Sequence, residues 1–156
     1  MSQNRIEVRV GAAGDAATFG RLLYAFNVEF GEATPDPEVI GERATPLIDS
    51  GEMLVLFVGE APDGLAQLRF RSSLYGAGRD ACLEELYVVP ERRGAGLGRA
   101  LLDAAMEHAR ARGADHIEVS TSESDTAALG LYESSGFTNR ERGPGGPRML
   151  YYERDL

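Results

Sequence analysis

The residues best suited to chemistry lie between Glu84 and Arg99, in "EELYVVPERRGAGLGR". Gly94, Gly96 and Gly98 alternate there, and Arg92, Arg93 and Arg99 crowd around them. Glycines let a ligand approach the backbone without a Cβ in the way. Exposed N–H groups point into such a turn, and a following helix adds roughly half a positive charge at its N-terminus. The arginines add charge-assisted donors. This chemistry suits a phosphate-bearing ligand; the plain alternative is a solvated helix start. Just upstream, Glu84 and Glu85 are adjacent carboxylates. A regular strand would point them to opposite faces, whereas a bulge would bring both toward one side.

Such a turn must be placed by a strand before it and a helix after it. "CLEELYVV" reads as a strand stopped by Pro90, and Leu97, Leu101, Ala104, Ala105 and His108 mark a helix ending near Gly113. Ahead of them, Ile6–Val10 alternates as a strand. Phe19, Leu22, Leu23, Phe26 and Phe30 predict a helix from near Asp15 to Phe30. A second helix is expected from Pro37 to Asp49, kinked or ended by Pro46. "EMLVLFVGE" and "LAQLRFRSSLY" form a hairpin across "APDG". After the glycine turn and its helix, "HIEVST" is a strand and Ser124–Ser135 a helix closed by Gly136. "TNRERG" and "RMLYYERD" flank "PGGP" as a last pair of strands. The expected architecture is a mixed α/β fold with element order βααβββαβαββ, a single domain over residues 1–156.

Composition narrows the function classes. A chain of 156 residues can bury an ordinary core. Sixteen basic residues stand against 25 acidic ones, net −9, which disfavours nucleic acid or an anionic membrane as partner. All 16 basic residues are arginine, so a lysine Schiff base and a P-loop lysine are excluded. From Glu91 to Gly113 five arginines face three acids, a local +2 that leaves −11 elsewhere. The one cysteine, Cys82, can form no intrachain disulfide, and a reducing, cytoplasmic setting is expected. Two histidines and that cysteine are scattered, so no metal is expected.

Three phosphate-binding patterns compete at the turn. A P-loop fails because Gly98 is followed by Arg99 and Ala100. A dinucleotide fingerprint fails because its last position falls on Arg99 or Leu101. The acyl-CoA pyrophosphate pattern, Arg/Gln-x-x-Gly-x-Gly/Ala, is matched by Arg93, Gly96 and Gly98. At "LEELYVVPERRGAGLGRALLDAA", and again at "SDTAALGLYESSGF", the chain resembles the GNAT superfamily of N-acetyltransferases. Asp125, Ala128, Leu131, Tyr132, Gly136 and Phe137 fill the second signature, with Asp125 where Asn is usual.

The resemblance implies acetyl-CoA as donor and direct transfer to a primary amine. Backbone N–H groups from Arg93 through Gly94, Ala95, Gly96, Leu97 and Gly98 to Arg99 would hold the pyrophosphate, with Arg92, Arg93 and Arg99 near its phosphates. Backbone groups of Tyr87 and Val88 would pair with the pantetheine arm, Asp125 would belong to the cofactor side, and Tyr132 would face the thioester sulfur. The resemblance favours Glu84 as base and Glu85 as substrate contact. The acceptor would be read by the first two helices and their loop, where Glu29, Glu32, Asp36 and Glu38 collect; Glu29 is the candidate contact for a small cationic amine. The plainer readings are that Tyr132 is a core aromatic, Asp125 a helix cap and Cys82 a core residue. A CoA-binding sensor or interaction domain without catalysis is the second function class. A homodimer stays open.

Overall fold

The computed structural model describes residues 6–156, in two units, one ending at Val119 and the other running Ser120–Leu156. In the first unit the chain forms β1 (Val8–Val10), α1 (Ala16–Glu29), α2 (Pro37–Ser50), β2 (Met53–Val58), β3 (Gly64–Ser72), β4 (Arg79–Val88), α3 (Leu97–Ala111) and β5 (Ala114–Val119). The strands lie in one sheet in chain order. β1 to β4 are antiparallel neighbours, and β5 is parallel to β4. A parallel pair needs a crossover, and α3 supplies it. The mixed α/β class expected from the sequence is the class observed.

β2 is apolar at all six positions because both of its faces are buried. Met53, Val55 and Phe57 meet Phe19 and Leu22 of α1 and Ile40 and Ala44 of α2, in a cluster that takes in Leu65 and Tyr87. Leu54, Leu56 and Val58 alternate to the opposite face of the sheet. The buried stripe of α3, Leu97, Leu101, Leu102, Ala105 and Ala109, recurs at the spacing of one helix face.

α1 and α2 touch through glycine. A Cβ on Gly41 would come 2.9 Å from the Ala16 carbonyl oxygen, and one on Gly20 would collide with the Pro37 carbonyl. At the start of α1, Arg9 grips Asp15 through both guanidinium Nη atoms, at 3.0 and 2.9 Å. The Ala12 N–H adds a third donor, at 2.8 Å. These bonds hold the Asp15 carboxyl below the usual range, the Arg9 contact contributing most. Pro46 neither ends nor divides α2, which continues to Ser50 and stops at Gly51 in the left-handed region, φ 76°.

The second unit carries α4 (Thr126–Ser134). Its end is a Schellman cap: Gly136 at φ 90° donates to the Glu133 carbonyl, and the Phe137 N–H returns to the Tyr132 carbonyl. The hydrophobic contact typical of that cap is the Tyr132–Phe137 ring pair, with centroids 5.7 Å apart. The expected last strand pair forms only one bridge, Arg140 to Arg148. Two prolines, Pro144 and Pro147, offer no N–H to a longer ladder there. No helix among the described residues is long and apolar enough to cross a membrane.

Candidate active site

The site begins at an irregularity in β4. Gln67 of β3 stands opposite Glu85, but its neighbour Leu68 stands opposite Leu83, so Glu84 is an extra residue. Without it, Leu83, Glu85 and Tyr87 would all share one face. With it, Leu83 keeps the α3 side while Glu85 and Tyr87 turn to the side of α1 and α2, where Leu65 and Gln67 also point. The Gln67 amide Nε2 reaches the Glu84 carboxylate at 2.7 Å, so the two glutamates flank one patch of that face. This is the arrangement a bulge was expected to allow.

Their surroundings differ. Glu84 is exposed, while Glu85 is half-buried. Burial pushes the Glu85 carboxyl up to about 7, and the Glu84 charge pushes the same way. Gln67 is the partner that sequence reasoning missed. Its signal was visible as the one amide inside an otherwise apolar run, and it is 4% exposed.

Past Leu83, β4 has no ladder to β5, whose pairing covers Arg79 to Leu83 alone. The Val89 N–H bonds to Asp63 of the β2–β3 turn at 2.8 Å. Strand alternation therefore directs the N–H and C=O of Val88 to the edge away from β3, and those of Tyr87 toward β3. Of the two residues expected to pair with pantetheine, Val88 offers its backbone to that edge.

Beyond β4, Pro90–Arg92 makes a short 3₁₀ turn. Gly94 and Gly96 then take φ 78° and 84°, where a side chain is strained. Among the described residues, nothing lies within 4 Å of a would-be Cβ at Gly94, and Ile6 lies 3.6 Å from one at Gly96. Gly96 is the N-cap of α3 and brings no side-chain cap, so the N–H groups of Leu97 and Gly98 have no acceptor within the helix. The turn fits a pyrophosphate through backbone donors and the helix dipole.

The arginines are placed less simply. Arg92 pairs with Asp63 at 3.5 Å. Arg93 folds back across the end of β4: its Nε donates to the Val88 carbonyl at 2.9 Å, and its Nη2 lies 2.7 Å from Glu29 Oε2. The Tyr87 hydroxyl donates to the other Glu29 oxygen at 3.3 Å. The Tyr87 ring is stacked on Phe26 of α1, with centroids 4.9 Å apart. Burial foremost, then the Glu29 carboxylate, raises the Tyr87 phenol above its usual value. Glu29, Tyr87, Val88 and Arg93 thus form one connected group.

Asp125 and Tyr132 belong to the second unit. The Asp125 side chain caps α4 by accepting from the Ala128 N–H at 3.0 Å, so the plainer reading of that residue is realised. Tyr132 is buried, its ring fixed against Phe137 by the cap of α4. In the first unit, Cys82 is a half-buried thiol pushed up by burial first, then by Glu118 and Glu84.

The family model described as "Acetyltransferase (GNAT) family" matches residues 21–137. A crystal structure of a protein assigned as an acetyltransferase in Arthrobacter sp. FB24 is 42% identical, covers 100% of this chain and 99% of its own, and superposes with a TM-score of 0.90. A mycothiol acetyltransferase of Thermobispora bispora is 52% identical over 64 residues, 39% of this chain and 22% of its own length. The matches to it and to a second such relative span only about a fifth of those proteins. An aminoglycoside acetyltransferase from an uncultured soil metagenomic sample, at 20% identity and a TM-score of 0.78 over 100% of this chain and 99% of its own, shares the fold.

Proposed function

Because the chain belongs to the acetyltransferase (GNAT) family, we propose that it moves the acetyl group of acetyl-CoA directly to the primary amine of a small cationic acceptor. The observation that carries this reading is the carboxylate pair on the β4 bulge, on the same strand that leads into the glycine turn. An amine attacks only when neutral, so its ammonium must first lose a proton. Glu84, exposed beside Gln67, attracts the cation. Glu85, whose affinity for protons is matched to neutral pH, takes the proton. This exchanges the roles the family resemblance favoured, on the ground that burial has raised Glu85. The nitrogen then bonds to the thioester carbon. The tetrahedral intermediate collapses, the carbon–sulfur bond breaks, and the Tyr132 phenol gives its proton to the departing sulfur. The second proton on nitrogen passes to solvent, from which the phenolate is restored. The raised Cys82 thiol is a poor nucleophile at neutral pH, which favours direct transfer over an acyl-cysteine.

The test is CoA-thiol release from acetyl-CoA with a panel of polyamines, amino sugars and amino-acid derivatives. Binding of acetyl-CoA with no release across the panel would instead support the sensor reading. On the catalytic reading, Tyr132→Phe keeps acetyl-CoA binding and slows turnover by about 10²-fold. Wild-type turnover in that variant would reduce Tyr132 to packing.

Charge motivates the cationic acceptor. The chain carries −11 outside the Glu91–Gly113 segment, and steering by such a field weakens as the screening length falls to about 3 Å at 1 M salt. We expect kcat/KM for spermidine to fall between low and high salt while that for a neutral-backbone arylamine stays level. Better turnover of the arylamine, with no salt effect on either, would remove the cationic acceptor and leave the acetyl transfer standing.

A further inference from the structure

We infer that Arg93 is a displaceable latch on Glu29, so that the phosphates of the donor substrate release Glu29 for the acceptor and couple the two binding events. The inference rests on the acetyltransferase reading above and goes beyond it by giving Arg93 and Glu29 a joint role.

Both oxygens of Glu29 are engaged by the chain itself. Arg93 Nη2 lies 2.9 Å from Oε1 and 2.7 Å from Oε2, and the Tyr87 hydroxyl donates to Oε1 at 3.3 Å. A carboxylate so neutralised holds an ammonium poorly, because the incoming cation meets a guanidinium already in place. Glu29 ends α1, on the side of the sheet that carries Glu85. It can serve a cationic acceptor only when Arg93 lets go.

Arg93 also stands where the donor must pass. It is the first residue of the glycine turn, and its Nε occupies the outward carbonyl of Val88 on the unpaired stretch of β4. A pyrophosphate carries more charge than one carboxylate and presents several oxygens to a planar guanidinium. The Arg93–Glu29 pair is partly solvent-exposed on both sides, and exchange of such a pair is cheap. Moving the guanidinium from Glu29 to a phosphate leaves Glu29 anionic, still positioned by the Tyr87 hydroxyl. The donor thereby creates the acceptor's charge partner, and by linkage the acceptor strengthens donor binding by the same factor.

A fixed structural clamp would look identical in its contacts but respond oppositely to mutation. We would titrate coenzyme A, which lacks the acetyl group and cannot turn over, into wild type, Glu29→Gln, Arg93→Gln and the double variant, by calorimetry, with thermal unfolding as the check on folding. The latch predicts that Glu29→Gln binds coenzyme A about two- to fivefold more tightly, since Arg93 no longer leaves an ion pair. Arg93→Gln binds more weakly, and the double variant matches Arg93→Gln alone. Spermidine should bind wild type more tightly with coenzyme A present, and Arg93→Gln equally well with or without it. Unchanged or weaker coenzyme A binding by folded Glu29→Gln overturns the latch while leaving the acetyltransferase reading intact. A folded wild-type chain that ignores coenzyme A overturns both.

Discussion

Glu85→Gln is expected to lose turnover by about 10²-fold or more while gaining stability above neutral pH. The two effects have one cause. Burial and the neighbouring Glu84 charge raise the folded-state pKa of Glu85 to about 7, so the fold favours the protonated acid. Below about pH 4 the carboxyl is protonated folded and unfolded, and wild type and variant should be equally stable. From the unfolded pKa of 4.5 up through 7, the unfolded chain releases the proton more readily and wild type grows progressively less stable. The glutamine variant escapes that penalty, which after allowance for partial exposure is on the order of 1–3 kcal/mol at pH 8. Catalysis runs the other way, because only the deprotonated carboxylate accepts a proton. The kcat/KM profile of wild type should rise through pH 7, and Glu85→Gln should lose that limb. Glu84→Gln removes the second cause of the shift, so the limb should move to lower pH without disappearing. A Glu85→Gln enzyme with wild-type rates and the limb intact would exclude Glu85 as the base.

Gly98→Val separates stability from binding at the other end of the site. Gly98 lies in the first turn of α3. Glycine costs about 0.8–1 kcal/mol relative to alanine in a helix, and valine recovers part of it. The variant should therefore unfold no earlier than wild type. Its isopropyl group would stand among the N–H groups proposed to hold the pyrophosphate, and acetyl-CoA binding should weaken at least about 100-fold, the loss of several charge-assisted hydrogen bonds. Gly96→Val should also block binding, but its φ of 84° adds strain, so Gly98 is the cleaner probe. Wild-type affinity in Gly98→Val would place the phosphates elsewhere.

What the sequence revealed follows from what is local. Strand, glycine turn and helix at 84–111 are legible because alternation, left-handed glycines and a helical stripe each act within a few residues. The extent of α2 was legible despite Pro46, because a helix packed through Gly41 and Ala44 onto neighbouring elements can absorb a missing N–H. The last strand pair misled because the apolar run Met149–Tyr152 says nothing of whether a partner can donate. The bulge could be anticipated as an option, but its position depends on Tyr87 being needed on the face of Leu65, a demand made by the core. The Glu29–Arg93 pair spans 64 residues, and no spacing rule connects an arginine of a phosphate turn to the last acid of a distant helix. The role of Glu85 was hidden for the same reason: its neighbours in sequence do not reveal how little water surrounds it.

The contact of α1 and α2 through Gly20 and Gly41 bears on how this scaffold could diversify. With backbones touching at those two points, almost any side chain there would pry the helices apart, and the crossing is closed to variation. Freedom lies instead at the far end of α1 and in the loop beyond it, where Glu29, Glu32 and Asp36 are exposed. A library built to change the acceptor would randomise residues 27–36 around that rigid pivot. It would retune recognition without reopening the core.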